Sequence, residues 1–299
     1  MTDEERARSD ENNALQDATL QAVSAVRDAV QACFDSDAAR LDERVFSTLR
    51  RLFAFMSERS QAISFLVSAG YVWDAEIIVR SFYEAHAKIW FICLTPESGR
   101  RALVDEFWDT TSAVHNRRRA AQAAEAAAVS RRQGDSDDAL VLSSLTREDI
   151  FPADPLNKQG RRTVEQKWSF AEIVRHLQKS GSADFDLSNL GGLLHMYGQA
   201  SHMIHADESA LDTMLDRQLR EKTELRTLAE AHVCRIFSDQ AHCWLFSLMA
   251  LRHACGLPKD PGPDLVARLS HLNALIRPYT ERFNAGQAAF YQRCAENSD

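Results

Sequence analysis

The stretch Tyr71–Leu94, YVWDAEIIVRSFYEAHAKIWFICL, constrains this chain more than any other. Laid on a helix at about 100° per residue, it is apolar on more than one side. Trp73, Ile77, Ala87 and Phe91 make one stripe, and Ile78, Phe82, Ala85, Ile89 and Ile92 make another, roughly opposite. A helix that is apolar nearly all round is buried on all sides, so the stretch is expected to be the central helix of an all-α domain. Arg80 and Glu84 fall within the first stripe, about 40° apart. A charge there has to be paired or given a role, because an unpaired buried ion is too costly.

Glycine (11) and proline (7) are scarce in the 299 residues, which favours long helices over a turn-rich β architecture. Arg80, Glu84 and Lys88 interrupt the most apolar run, so no transmembrane span is expected. The polar start MTDEERARSDENN has no basic segment followed by an apolar one, and a secretory signal is not expected either. The six cysteines contain no CxxC pair and read as reduced, structural thiols of a cytoplasmic protein. A net charge of −8 argues against a surface that coats nucleic acid broadly, though not against a local basic cleft.

Along the chain, residues 1–36 read as an N-terminal helix with a frayed start, and 37–299 as a single helical domain. Asp42 to Ala69 is a second helix closed by Gly70. Thr95 is expected to cap the helix that follows, with Pro96 at its first position and its end near Arg132. The second half of that helix, NRRRAAQAAEAAAVSRR, has little large apolar surface and is expected to project or to meet a partner. Residues 133–163 read as a long mobile loop with a short helical piece near Asp138–Leu145. Ser169 with Glu172 forms a capping-box pattern ahead of a short helix. Residues 207–222 read as a polar connection, followed by helices at Thr223–Cys255 and Asp264–Cys294. The fold class expected is all-α, an antiparallel bundle of about seven to eight helices with Tyr71–Leu94 buried at its centre.

The second informative stretch is YGQASHMIHADE, in which Tyr197, Ser201 and His205 are spaced i, i+4, i+8 and line one side of a helix. Two largely apolar helices thus each carry a polar stripe. The economical arrangement faces them against each other, with Arg80 or Glu84 bonded to Tyr197, Ser201 or His205. Such a network either fixes helix register or serves a site.

RSFYEA followed by Y-x3-S-x3-H resembles an uncharacterised family of bacterial helical domains that carry an Arg-x3-Glu and then a Ser-x3-His motif. The resemblance covers about Gln61 to Asp207 and matches at Arg80, Glu84, Tyr197, Ser201 and His205. A looser similarity links the chain to the HEPN superfamily of helical ribonucleases and nucleotide-binding domains, common in toxins and phage defence. Its hallmark is an Arg followed by a His, and Arg80-SFYEA-His86 has that spacing, although Ser81 replaces the usual polar residue after the Arg. On a straight helix Arg80 and His86 also lie about 120° apart.

The HEPN similarity implies metal-independent RNA cleavage, with His205 or His86 moving a proton at the 2′-hydroxyl and Arg80 stabilising the phosphorane. RNA, a nucleotide, a protein partner or a second copy of the chain are the partners left open, and a membrane is not among them. The alternative is a non-enzymatic interaction protein whose Arg–Glu–His network is structural. A metal site competes through His202/His205 and Asp239/His242, but the Glu-x-x-His motifs of di-iron bundles are absent, and neither metal nor cofactor is expected. Arg117, Arg118, Arg119, Arg131, Arg132, Arg161 and Arg162 read as a solvated basic face. The chain has no GxGxxG, P-loop, GxSxG or HExxH.

Overall fold

The computed structural model describes residues 3–36, 40–147, 149, 155–180, 185, 187, 190–205 and 207–296. Regular structure among them is entirely helical. The elements are α1 (Asp3–Ser36), α2 (Glu43–Ser68), α3 (Val72–Leu94), α4 (Glu97–Asp105), α5 (Thr111–Gln133), α6 (Ser136–Ser144), α7 (Lys158–Lys167), α8 (Phe170–Ser180), α9 (Leu190–His205), α10 (Glu208–Leu219), α11 (Lys222–Ala254) and α12 (Pro263–Glu296). A π-helical turn, Glu106–Thr110, joins α4 to α5 in one rod. Counting that rod once, the described residues form eleven helices, where the sequence pattern suggests seven or eight.

The surplus comes from short helices in polar stretches. Asp207 accepts from the Ala210 amide at 3.1 Å and starts α10 where a connection is expected. Asn157 does the same for α7 through the Gly160 amide at 2.8 Å. The expected loop at 133–163 therefore contains α6 and the first half of α7, and its positions 148 and 150–154 lie outside the described residues.

Helix α3 is the hub, packing on α2, α11, α9 and α8. From Ala85 to Cys93 every residue except Lys88 is buried, which is the burial expected of a helix with no polar face. Its partners bring their own apolar faces: Leu49, Phe53, Met56 and Ile63 from α2, and Ile236, Phe237, Trp244 and Leu248 from α11. Helix α1 packs on α11 and α12 and contributes Leu15, Val23, Val26 and Val30 to the same core.

The turn between α2 and α3 follows its sequence. Gly70 takes φ 83°, a left-handed value that glycine adopts at no steric cost, and the Tyr71 amide closes back on the Leu66 carbonyl at 2.8 Å. Thr95 does not cap α4; its hydroxyl donates back to the Phe91 carbonyl at 2.7 Å and finishes α3 instead. Ser169 does cap α8, accepting from the Glu172 amide at 3.4 Å, but Glu172 itself pairs with Arg175.

The alanine-rich α5 has its partner in the chain. Helix α6 folds back along it and buries Ala123 and Ala127 with Ala139, small residues that let the backbones approach. Arg118 pairs with Glu165 at 2.5 Å and Arg131 donates to Ser143 at 2.7 Å, so part of the arginine-rich face is spent on local contacts.

The five described cysteines, Cys33, Cys93, Cys234, Cys243 and Cys255, are buried, and Cys294 lies outside the described side chains. Burial pushes the Cys93 thiol up to about 12, as it does for Cys234, so these are packing groups rather than nucleophiles. Among the described residues no helix is long and apolar enough to cross a membrane. Because Ile89 is fully enclosed between α3 and its neighbours, Ile89→Ala is expected to cost about 2–5 kcal/mol in chemical denaturation. A loss below about 1 kcal/mol would contradict the position of α3 as the hub.

Candidate functional site

The two polar stripes meet. Arg80 Nη2 donates to Tyr197 Oη at 2.8 Å, and the Tyr197 hydroxyl donates to Glu84 Oε1 at 2.8 Å. The Arg80 guanidinium lies 4.7 Å from the centre of the Tyr197 ring, which stacks on Phe170 of α8 at 4.2 Å. Arg80 Nε is 3.6 Å from Glu84 Oε1, and Lys88 Nζ is 4.0 Å from Glu84 Oε2. Two cations thus share one carboxylate. Burial raises the Tyr197 phenol above its ordinary value, with Glu84 adding to the rise, so the phenol stays protonated and can bridge the ion pair. Burial lowers the Lys88 ammonium while Glu84 opposes the shift.

Ser201 and His205 stand apart from this cluster. Arg217 of α10 lies over the Trp73 ring at 4.1 Å and reaches Met203 Sδ at 3.9 Å, while Tyr197 sits beside Arg80 and Glu84. Helix α9 therefore runs back along α3, and His205 lies towards the Trp73 end. Eight residues of helix separate its backbone from that of Tyr197 by about 12 Å. His205 is exposed, Ser201 is half-buried, and neither hydrogen-bonds to Arg80 or Glu84 among the described residues. The expected face-to-face packing is present at Tyr197, then, but the three α9 residues do not converge on one point.

His86 faces elsewhere. It is buried, with Nδ1 2.8 Å from Ser247 Oγ on α11 and its ring 5.5 Å from Trp90. Burial lowers its imidazole to about 3, so it is neutral and sealed at physiological pH. The angular separation between Arg80 and His86 puts one on the α9 side and the other on the α11 side.

A second polar cluster, between α3 and α11, is one that the sequence reading passes over. Arg235 donates through Nη2 to Glu76 and through Nη1 to Asp239 at 2.9 Å and to Tyr83 Oη at 3.0 Å. The Tyr83 hydroxyl donates to Asp239, and His232 Nδ1 lies 2.7 Å from Glu76 Oε1. Desolvation would raise Glu76, but the His232 hydrogen bond and the Arg235 charge outweigh it and hold the carboxyl below its ordinary value. At Asp239 desolvation prevails over the same guanidinium and the carboxyl is raised. A cavity of about 540 Å³ opens beside this cluster between α9, α11 and α12, with His195, His232, Arg235 and Asp239 among its walls. The sequence signal was the spacing His232, Arg235, Asp239 at i, i+3, i+7, matched by Glu76 and Tyr83 seven apart on α3.

The metal pairs are occupied otherwise. His202 Nδ1 is 2.5 Å from Asp207, and His242 Nδ1 bonds to the Ser238 carbonyl at 2.8 Å while Asp239 serves Arg235 and Tyr83. No group of three or more His, Cys, Asp or Glu side chains suited to a metal ion occurs among the described residues.

Fold and site together define an all-helical protein whose hub helix carries an ionic cluster on each of two sides. The chain belongs to a family of unknown function, DUF5677, which matches residues 46–223. That agrees with the resemblance to an uncharacterised family at this level. The match contains Arg80, Glu84, Tyr197, Ser201 and His205, and it ends before His232, Arg235 and Asp239. No curated protein and no solved structure matches the chain.

The two ionic clusters should respond differently to truncation. Glu76 is buried, so Glu76→Ala removes the partner of Arg235 Nη2 and of His232, leaving Arg235 on Asp239 and Tyr83 alone, and is expected to cost about 3–5 kcal/mol. Glu84 is 35% exposed, which corrects the picture of a sealed Arg80–Glu84 pair; Glu84→Ala leaves Arg80 on Tyr197 and should cost about 1 kcal/mol. Denaturation of the two variants side by side tests this, and equal losses would contradict it.

His86 adds a pH dependence. Its native value of about 3 lies below the unfolded value of about 6.5, so the unfolded chain takes up a proton that the native state refuses. Stability is then expected to fall as pH drops through the window from about 6.5 to 3, by about 1.4 kcal/mol per unit well inside it. Denaturation midpoints measured from pH 7 to pH 5 should decline less in His86→Gln than in the parent. That interval lies above the range in which Glu76 titrates, so an identical slope would contradict the assignment to His86.

Proposed function

We propose that the chain is a HEPN-like effector that binds RNA at the seam between α3 and α9 and cleaves it without a metal ion. Nucleotide binding at the same seam is the reduced form of this reading, and a bacterial defence or toxin system is its biological setting by resemblance. The observation that carries it is the state of Arg80. Its guanidinium is held by Tyr197, shares Glu84 with a second cation, and lies 3.6 Å from that carboxylate where Arg235 is hydrogen-bonded to its own. A phosphate oxygen is the kind of acceptor that such a cationic fork recognises.

His205 supports the chemical half of the reading. It is the exposed imidazole on the Tyr197–Ser201 line, within reach of a ligand from solvent, whereas His86 is sealed and neutral. With about 12 Å of α9 between His205 and Tyr197, which holds Arg80, the two groups would serve different parts of the substrate. Arg80 would anchor a phosphate flanking the scissile one, and His205 would move the proton at the 2′-hydroxyl. A polymer can span that distance; a lone phosphate cannot.

A second reading, a non-enzymatic interaction protein with a structural network, is favoured by the same ties. Tyr197 uses its hydroxyl on Arg80 and Glu84 and its ring on Arg80 and Phe170. The experiment that separates them is RNA cleavage by purified protein in excess EDTA. Under the enzymatic reading the parent is active, His205→Ala loses at least about 100-fold, and His86→Gln, if folded, keeps its activity. Arg80→Ala should weaken RNA binding as well as turnover. Full activity in folded His205→Ala, or its abolition by EDTA, would overturn the mechanism. A parent that neither cleaves RNA nor binds nucleotides would assign the seam to packing.

A further inference from the structure

Cleavage of RNA through its own 2′-hydroxyl needs two proton transfers. One leaves the 2′-hydroxyl, which is the work of His205, and one must reach the 5′-oxygen that departs. The corner between α9 and α10 holds a second imidazole in an ordered setting. His202 Nδ1 lies 2.5 Å from Asp207 Oδ2, and Asp207 Oδ1 accepts from the Ala210 amide at 3.1 Å. Both carboxylate oxygens are thus tied, one to the imidazole and one to the first turn of α10. The His202 hydrogen bond is the main cause that holds Asp207 below the usual carboxylate range, with the Ala210 amide and His205 adding to it. Asp207 is therefore an anion at neutral pH, and the proton it accepts is the one on Nδ1. That leaves Nε2 as the nitrogen through which the ring can act, on a side chain that is 46% exposed.

His202 and His205 stand i, i+3 on α9, about 60° apart on the wheel and about 4.5 Å apart along the axis. Both are exposed. Cβ atoms at that spacing lie about 5–6 Å apart, which lets two rings flank one phosphate. Gly198, one turn before His202, falls between the two on the wheel, and a Cβ there would meet nothing within 4 Å. The face that carries both imidazoles is therefore bare backbone on its Tyr197 side, where a polymer can lie. A histidine–carboxylate pair that only joined two helices would need neither the exposure nor the second imidazole beside it.

We propose that His202, positioned by Asp207, is the general acid that protonates the leaving 5′-oxygen while His205 acts as the base. This assignment rests on the proposed RNA cleavage at the α3–α9 seam. In the step, the His205 imidazole removes the 2′-hydroxyl proton as the 2′-oxygen attacks phosphorus. The bond from phosphorus to the 5′-oxygen breaks, and His202 Nε2 gives its proton to that oxygen. A 2′,3′-cyclic phosphate and a 5′-hydroxyl result. His205 leaves the step protonated and His202 neutral, and proton exchange with water resets both. Asp207 is a positioning residue: by holding Nδ1–H it fixes the ring and aims the Nε2 proton away from itself.

An acid is needed only where the departing oxygen is a poor leaving group. The test compares cleavage of RNA with cleavage of a short oligouridylate whose 3′ end carries a 4-nitrophenyl phosphate, both by the full chain in excess EDTA. The nitrophenolate departs without a proton, and the oligouridylate keeps the flanking phosphates. His202→Gln, with the parent's helical circular dichroism, should lose at least about 100-fold in kcat on RNA and less than about threefold on the nitrophenyl ester. His205→Ala should lose heavily on both. Asp207→Asn keeps a cap for α10 and should lower kcat on RNA about tenfold at unchanged KM, again sparing the ester. Equal losses on the two substrates in His202→Gln, or full RNA cleavage by that folded variant, would overturn the assignment and leave the ribonuclease reading in place. A loss in Asp207→Asn that falls on KM, or on both substrates alike, would overturn the positioning role. A parent inactive on RNA would overturn both the ribonuclease reading and the acid that depends on it.

Discussion

A helix without a solvent face must find a partner for every polar side chain among the helices packed on it. α3 obeys this constraint in two directions. Towards α11, Glu76 and Tyr83 are met by Arg235, Asp239 and His232, and towards α9, Arg80 and Glu84 are met by Tyr197. These matches set the register of α3 against both neighbours, because sliding either helix by one turn would separate charged groups in a poorly solvated interior. Breaking one member of such a set costs more than the set contributes, which makes the network a strong determinant of the fold even where its net stabilisation is small.

The two clusters differ in what they leave available. The guanidinium of Arg235 spends both terminal nitrogens on carboxylates, Glu76 across the α3–α11 contact and Asp239 one turn along its own helix. The guanidinium of Arg80 spends one on a phenol and lies 3.6 Å from its carboxylate without a hydrogen bond through Nε. A group already committed to buried neighbours has little left for a substrate, whereas one held loosely at a half-open seam can be both positioned and reactive. The family match ends just inside α11 and so contains the α9 cluster whole, while the α11 cluster lies across its boundary.

The architecture around these clusters is assembled from small decisions of the backbone. The π turn at Glu106–Thr110 carries Trp108, which donates to Thr48 on α2 at 2.7 Å, and Glu106, which accepts from Trp168 at 2.9 Å. The rod that carries α5 outward is thereby tied to α2 on one side and to the start of α8 on the other. Arg100 performs a similar service at the end of α3, donating to the Ile92, Cys93 and Thr95 carbonyls, which have no helical partner of their own.

What the sequence determined by itself is what short-range periodicity and local chemistry can encode. The all-helical class, the burial of α3, the glycine turn at Gly70, the serine cap at Ser169 and the meeting of Arg80 and Glu84 with Tyr197 all follow from spacings within a few turns. Tertiary structure decided the rest, because it depends on which neighbour reaches a side chain first. Thr95 turned back to Phe91 rather than forward into α4, and residues 208–219 coiled into a helix because Asp207 capped them and Trp73 received Arg217. His86 matched a motif by spacing, yet the 120° between it and Arg80 sent it to α11 and Ser247, where burial removes its charge. The partners Glu76 and Arg235 are 159 residues apart; the spacings on α3 and α11 show a polar stripe on each helix, but only the packing of the two helices decided that these stripes meet.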